Sequence, residues 1–196
     1  MEMIQNVTDD VFFYNIIYHH QPAPSLKKVA EPHKLTPMKR LTIDYNGDNV
    51  KKLMNTQMRE KFGIIPEGIK WGAQGLACHS FLADEMIIDV IDSVDDCLEK
   101  GVRVIVYNGM LDLIINSSGQ DKWINKLSWP SLQDYYDQKR VPLYPPSLVK
   151  EQRTGAFHKA YKNFEYYWVL MSGHMVPIDA PEMSLEMVRR ILSDEQ

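Results

Sequence analysis

The sequence predicts an α/β domain, and three observations carry that prediction. Two short apolar runs, VRVIVY at 102–107 and YYWVLM at 166–171, read as strands covered on both faces of a parallel sheet. An amphipathic helix with an acidic face precedes the first run. A second amphipathic helix follows the last, which gives the rhythm of helix, strand, loop, strand, loop and helix.

Taken in order, DVFFYNIIY at 10–18 fits a helix or a buried strand, and periodicity does not choose between them. Pro22, Pro24, Pro32 and Pro37 make residues 20–42 a loop or mobile segment, because proline fixes φ and removes a backbone donor. Val50, Leu53, Met54, Met58 and Phe62 recur at three- and four-residue steps and predict a short helix that Gly63 ends. Ile87, Val90, Ile91, Val94 and Leu98 form the apolar stripe of the next helix. Asp84, Glu85, Asp89, Asp92, Asp95, Asp96 and Glu99 supply its solvated face, and Gly101 its stop. The first strand is expected to end at an Asn108–Gly109 turn. Residues 108–165 are long for a plain connection, so they carry small helices and packing of their own around Trp123, Trp129, Tyr135, Tyr136 and Tyr144. Asp179, Pro181 and Glu182 start the last helix, with Met183, Met187, Val188, Ile191 and Leu192 on its buried side.

With 196 residues and 44% apolar content, the chain can build one core. A net charge of −4 without a basic stripe argues against nucleic acid as a partner. No run approaches the roughly 20 apolar residues of a membrane span, and the start lacks the basic and apolar regions of a signal peptide. Taken literally, the chain is soluble and not exported. Asn6 and Asn116 nevertheless open glycosylation acceptor tripeptides, which belong on exposed loops of secreted proteins. One explanation of the mismatch is an amino terminus lying upstream. Cys78 and Cys97 are one possible pair, with two unpaired thiols the simpler reading. No HExxH or CxxC spacing occurs, so neither a metal nor another cofactor is expected, and His19–His20 reads as an exposed loop pair. Cys78 and His79 adjoin, but sequence neighbours rarely pair as nucleophile and base; Cys78 reads as a cysteine before a helix.

Asp112 lies shortly after the first strand and His174 shortly after the second. In open α/β sheets the loops at the carboxyl ends of strands gather ligands. If the two strands are parallel neighbours, the carboxylate and the imidazole emerge on one edge within bonding reach. The plainer alternative makes Asp112 a turn cap and His174 an ordinary loop histidine.

The strings VIVYNGMLDLI, WINKLSWPSL, TGAFHKAYKNFEYYWVLMSGHMVPIDAPEMSLEMVRRIL and LMNTQMREKFGIIPEGIKWGAQG resemble the carboxy-terminal half of a serine carboxypeptidase. The subgroup they are most similar to is that of the retinoid-inducible and vitellogenic-like enzymes. The resemblance implies a partial α/β-hydrolase fold, a serine, aspartate and histidine triad in that chain order, and removal of carboxy-terminal residues from peptides, often at acidic pH. It makes Asp112 of the NGxLD motif the triad aspartate and His174 of GHMVP the triad histidine. Asn108 and Gly109 match the turn ahead of the aspartate, and Met175 a residue bordering the substrate pocket. Residues 1–75 would be the latter part of a helical insertion over the active site, and 76–196 the carboxy-terminal part of the hydrolase core.

The nucleophile of such folds sits in a G-x-S-x-G elbow, and none occurs in the chain. The expectation is therefore a homologue that holds the base and its orienting carboxylate but does not hydrolyse peptides alone. Its partners would be a peptide or protein substrate and the missing amino-terminal half, in a secreted or lysosomal enzyme. Alternatively the chain is a non-catalytic remnant that pairs with a partner through an open sheet edge. With the central strands absent, the faces of both predicted strands are expected to stay partly uncovered.

Overall fold

The computed structural model describes residues 7–8, 11–18, 48–72, 76–85 and 88–193. Asn6, His19, His20, Ile87 and the proline-rich stretch at 20–42 lie outside them. The chain forms two compact units, one of Met1–His33 with Val90–Gln196 and one of Lys34–Asp89. Residues 11–18 fall in the first of these units.

In the Lys34–Asp89 unit the expected single helix is two, α1 (Asp48–Asn55) and α2 (Gln57–Phe62), broken at Thr56, whose hydroxyl donates to the Lys52 carbonyl. Gly63 ends α2 as predicted, with φ 64° and its N–H on the Arg59 carbonyl. The Arg59 side chain donates to the carbonyls of Pro66 and Ile69 and so ties the following turn to the helix. A third helix, α3 (Leu76–Phe81), contains Cys78 rather than following it, and that thiol is exposed.

The other unit is built on a four-stranded sheet. In chain order it runs α4 (Ile91–Glu99), β1 (Val104–Gly109), α5 (Ser117–Ile124), α6 (Leu132–Asp137), β2 (Val141–Leu143), a 3-10 turn at Pro146–Leu148, β3 (Ala156–Tyr161), β4 (Phe164–Val169), α7 (Val176–Asp179) and α8 (Pro181–Leu192). The sheet order is β1-β4-β3-β2. β1 pairs parallel with β4, Val104 opposite Phe164 and Gly109 opposite Val169, whereas β4, β3 and β2 pair antiparallel. The two strands legible in the sequence are therefore parallel neighbours. The long connection holds the helices expected of it and, in addition, β2 and β3.

β4 is buried along its whole length, and its alternation sorts the core into two clusters. Phe164, Tyr166 and Trp168 face Leu98, Ile124, Leu127, Trp129 and Tyr135. Tyr167 and Val169 face Leu143, Ala156, Val176, Met183 and Met187. Each of these large side chains contributes about 1.5–3 kcal/mol by leaving water. The expected exposure of both strand faces therefore fails for β4, because β3 and the helices on either side cover it. It holds in part for β1, where Val104, Ile105 and Val106 are half-buried and Tyr107 is 50% exposed.

Other differences have local causes. β1 ends with Asn108 and Gly109 inside the strand, not in a turn. β4 stops at Val169, two residues early, because Met171 turns to φ 54°, a backbone shape no strand continues. Asp95 is not on the solvated face of α4. It is buried and accepts from the Ser128 and Trp129 amides at 2.9 and 3.0 Å and from the Ser128 hydroxyl at 2.6 Å, so it fixes the loop that inserts Trp129 into the core. Helical spacing gives Asp95 no solvent label; tertiary donors claimed it. Val90, Val188 and Leu192 are exposed rather than buried, since α4 begins only at Ile91 and α8 presents Met183, Ser184 and Met187 inward. Ile191 packs against the second cluster as expected. Gly101 follows α4 at φ 76°.

Candidate active site

Both chemistry-bearing loops leave the same end of the sheet, because β1 and β4 run parallel and end at paired residues. The loops are zipped to each other. Met110 donates its N–H to the Val169 carbonyl at 3.0 Å and Leu111 its N–H to the Ser172 carbonyl at 2.8 Å. Gly109 is where they approach most closely: a methyl there would overlap the carbonyls of Ser172 and Gly173, so the residue is glycine for space, not for a turn.

Asp112 and His174 meet across this contact, Nδ1 to Oδ2 at 2.8 Å. The carboxylate is buried, and its second oxygen accepts from the amides of Ile114 and Ile115 at 3.0 and 3.1 Å. The imidazole keeps 35% of its side-chain surface open. An ionised carboxylate only accepts, so the bond puts the proton on Nδ1 and leaves the Nε2 lone pair available to take one. Two backbone amides hold the aspartate in place without cancelling its charge, which remains to stabilise an imidazolium. That is the division of labour of a general base and its orienting carboxylate.

A third segment completes the arrangement. Residues 11–18 form neither helix nor strand beyond a bridge at Val11, and they pass over both loops. Phe13 and Ile16 bond the backbone of Leu113 and Leu111, on either side of Asp112. The Tyr14 carbonyl accepts the His174 N–H at 2.6 Å, and its ring lies 5.1 Å from the imidazole.

A family model described as serine carboxypeptidase matches residues 1–194 of the chain. The chain belongs to the serine carboxypeptidase family. The retinoid-inducible serine carboxypeptidase of Rattus norvegicus is 39% identical over 98% of the chain and 43% of its own length, and that of Homo sapiens 38% identical over the same shares. The serine carboxypeptidase-like 51 of Arabidopsis thaliana is 38% identical over 78% of the chain and 32% of its own. The chain thus spans less than half the length of these relatives. A solved structure of a prohormone-processing carboxypeptidase from Saccharomyces cerevisiae superimposes with a TM-score of 0.66 at 20% identity, over 91% of the chain and 35% of the other. That likeness gives the carboxypeptidase-family chain its fold class, a partial α/β-hydrolase fold.

The remaining candidates fall around the pair in different ways. Asn108 is buried, its amide on the Gly109 carbonyl and the Ser117 hydroxyl at 3.0 and 3.1 Å. Met175, 39% exposed, follows His174 on the open side. Asn116 is exposed and caps α5, accepting from the Gly119 amide at 2.8 Å and the Ser118 hydroxyl at 2.7 Å. Cys97 is half-buried and free. No described helix is long and apolar enough to cross a membrane, and the described residues contain no cluster of three metal-binding side chains.

Sequence reasoning missed Asn15 and gave Asp179 the wrong task. Asp179 does not start the last helix, which Ala180 leads into; its Oδ2 accepts from the Gly173 amide at 2.8 Å and from the Asn15 side chain at 2.9 Å. The available signal was Asn15 itself, a single uncharged polar side chain within the apolar run VFFYNIIY. Such a residue, once buried, must find a partner.

Proposed function

We propose that this chain supplies the histidine and aspartate of a serine-type carboxypeptidase, with His174 as general base and Asp112 as its orienting partner, and that the nucleophile comes from outside these residues. The supporting observation is the 2.8 Å bond between Asp112 and a half-open imidazole at the carboxyl ends of two parallel strands. In this reading His174 takes the proton of a serine hydroxyl as the oxygen attacks the last peptide bond, then passes it to the leaving amine. Asp112 holds the imidazolium between the two steps. Met175 borders the substrate, Asn108 and Gly109 shape the floor beneath it, and Asp112 and His174 alone do not hydrolyse peptides, because acyl transfer needs both a nucleophile and oxyanion donors.

The substrate is the carboxy-terminal end of a peptide or protein, and the setting is secretory or lysosomal, with Asn6 and Asn116 as glycan acceptors. Residues 1–75 are the latter part of the helical insertion of the complete enzyme, and residues 76–196 the carboxy-terminal part of its core. The test compares the 196-residue chain with a longer polypeptide that joins it to a serine-bearing amino-terminal half. Release of carboxy-terminal residues by the long form and none by the short form is expected. Equal turnover by the two would overturn the assignment.

A second reading has an observation of its own. β1 lies at an edge of the described sheet with Tyr107 half exposed, which suits strand addition by a partner without catalysis. A long form that binds but never cleaves would favour it.

A further inference from the structure

Between the two loops of the candidate site runs a strap whose bonds alternate from one to the other. Leu113 donates to the Phe13 carbonyl at 3.1 Å and Ile16 donates to the Leu111 carbonyl at 3.0 Å, which brackets Asp112. His174 donates to the Tyr14 carbonyl at 2.6 Å. Asn15, 1% exposed, reaches Asp179, 3% exposed, and the same carboxylate oxygen also takes the Gly173 N–H. The strap lies so close that a Cβ on Gly173 would come within 2.8 Å of the Asn15 Cα and overlap the Tyr14 carbonyl. Gly173 is the residue directly before the base.

We propose that Asn15 and Asp179 are positioning residues for the imidazole of His174. The proposal rests on the reading of Asp112 and His174 as a charge-relay pair and adds what sets their distance. Neither touches the reacting atoms. The Asp179 oxygen, itself fixed by the Asn15 side chain, takes the Gly173 N–H and so sets where the His174 backbone begins, and the Tyr14 carbonyl holds the His174 N–H. With those two points set, the ring meets Asp112 at bonding distance instead of sweeping the open rim.

Burial makes this more than loop packing. An apolar pair of equal size would hold the loop without the cost of taking a carboxylate out of water. What the carboxylate adds is direction: one oxygen that gathers the Asn15 amide and the Gly173 amide at one point. Direction matters here because displacing a catalytic group by about 1 Å can cost on the order of 100-fold in rate.

The experiment reads the geometry of the pair in the 196-residue chain. The Nδ1 proton shared with Asp112 gives a low-field proton resonance, assigned by its loss in His174→Gln, and its exchange with water reports how firmly the bond is held. Asn15→Leu and Asp179→Leu are expected to speed that exchange at least about tenfold, with the rest of the amide spectrum in place. Asp179→Asn can present one oxygen to both donors and is expected to stay within about threefold of the parent. Unchanged exchange in both leucine variants would overturn the proposal. So would an Asp179→Asn chain that behaves like Asp179→Leu, since general loop damage and not a directed oxygen would then be the cause. If a leucine variant unfolds, Asn15→Ser replaces it, with the same tenfold expectation. The hydrolytic reading fails separately, when His174→Gln leaves turnover of the long form intact.

Discussion

Two carboxylate and imidazole pairs occupy the same sheet, at opposite ends of β4, and they are built for different work. At the amino-terminal end, Glu165 accepts from His158 at 3.0 Å, from Arg103 at 2.5 Å and from the Tyr167 hydroxyl at 3.1 Å. His158 stacks on Tyr167 at 4.2 Å, and both its strand and that of Glu165 are paired. At the carboxyl end, Asp112 accepts from His174 and from two neutral backbone amides. Pairing alone therefore does not mark a catalytic base. The guanidinium of Arg103 already balances Glu165, so little of its charge is left for an imidazolium, whereas Asp112 has no such cation among its described partners. His158 is pinned on a strand against an aromatic ring, with 21% of its side-chain surface open; His174 stands in a loop with 35% open.

The comparison breaks most sharply at the two histidines. In the long form, His174→Ala should lower kcat/KM by about 1,000-fold or more, as loss of a triad member does, while His158→Ala should stay within roughly tenfold. Steady-state kinetics with a blocked peptide, alongside thermal unfolding of both variants, would decide it. A comparable activity loss in both would erase the distinction drawn here.

Acid should separate the pairs next. Burial pushes the Glu165 carboxyl up, but the hydrogen bonds from His158 and Arg103, the Arg103 charge and the Tyr167 hydroxyl together pull it down to about 2 from 4.5. A group whose folded pKa is depressed stabilises the fold above its unfolded value and loses that contribution as pH falls toward the folded one. Glu165 should thus contribute about 3 kcal/mol near neutrality, lost between roughly pH 4.5 and 2. Denaturant midpoints followed over that window should fall in the parent and flatten in Glu165→Gln. A Glu165→Gln chain with the full acid slope of the parent would contradict the assignment.

The smallest effect concerns a carboxylate with no histidine. Asp95→Asn keeps an oxygen for only one of the Ser128 and Trp129 amides, turns an NH2 donor toward the other and loses the charge, so it should cost about 2 kcal/mol of stability and leave His174 exchange unchanged. Chemical denaturation and the low-field proton signal together measure both halves of that statement.

Much of the site was legible because its ingredients are local. A β-branched run predicts a strand, the end of a strand predicts a loop, and Asp112 and His174 each follow one. The resemblance carried by NGMLD and GHMVP then joined them into one pair. β2 and β3 were not legible: AFHKAY mixes a histidine and a lysine into its alternation, and those polar residues are satisfied only by tertiary partners, Glu165 for His158 and the Tyr136 carbonyl for Lys159. The segment at 11–18 was illegible for a related reason: its own backbone bonds make only the tight turns of Phe12, Asn15 and Tyr18, and the carbonyls of Phe13 and Tyr14 and the N–H of Ile16 pair with Leu113, His174 and Leu111, far away in the chain.

By itself the sequence determined what depends on near neighbours: the α/β alternation, the glycine stops at Gly63 and Gly101, and which carboxylate and imidazole follow the two core strands. Only the tertiary structure decided that Asp95 lies inside, that Gly109 is small to admit the Ser172 and Gly173 carbonyls, and that Asn15 and Gly173 donate to one oxygen of Asp179. The physical reason is the range of the interactions. Helix and strand periods are set within a few residues, while the partner of a buried polar group is whatever donor the fold brings to it.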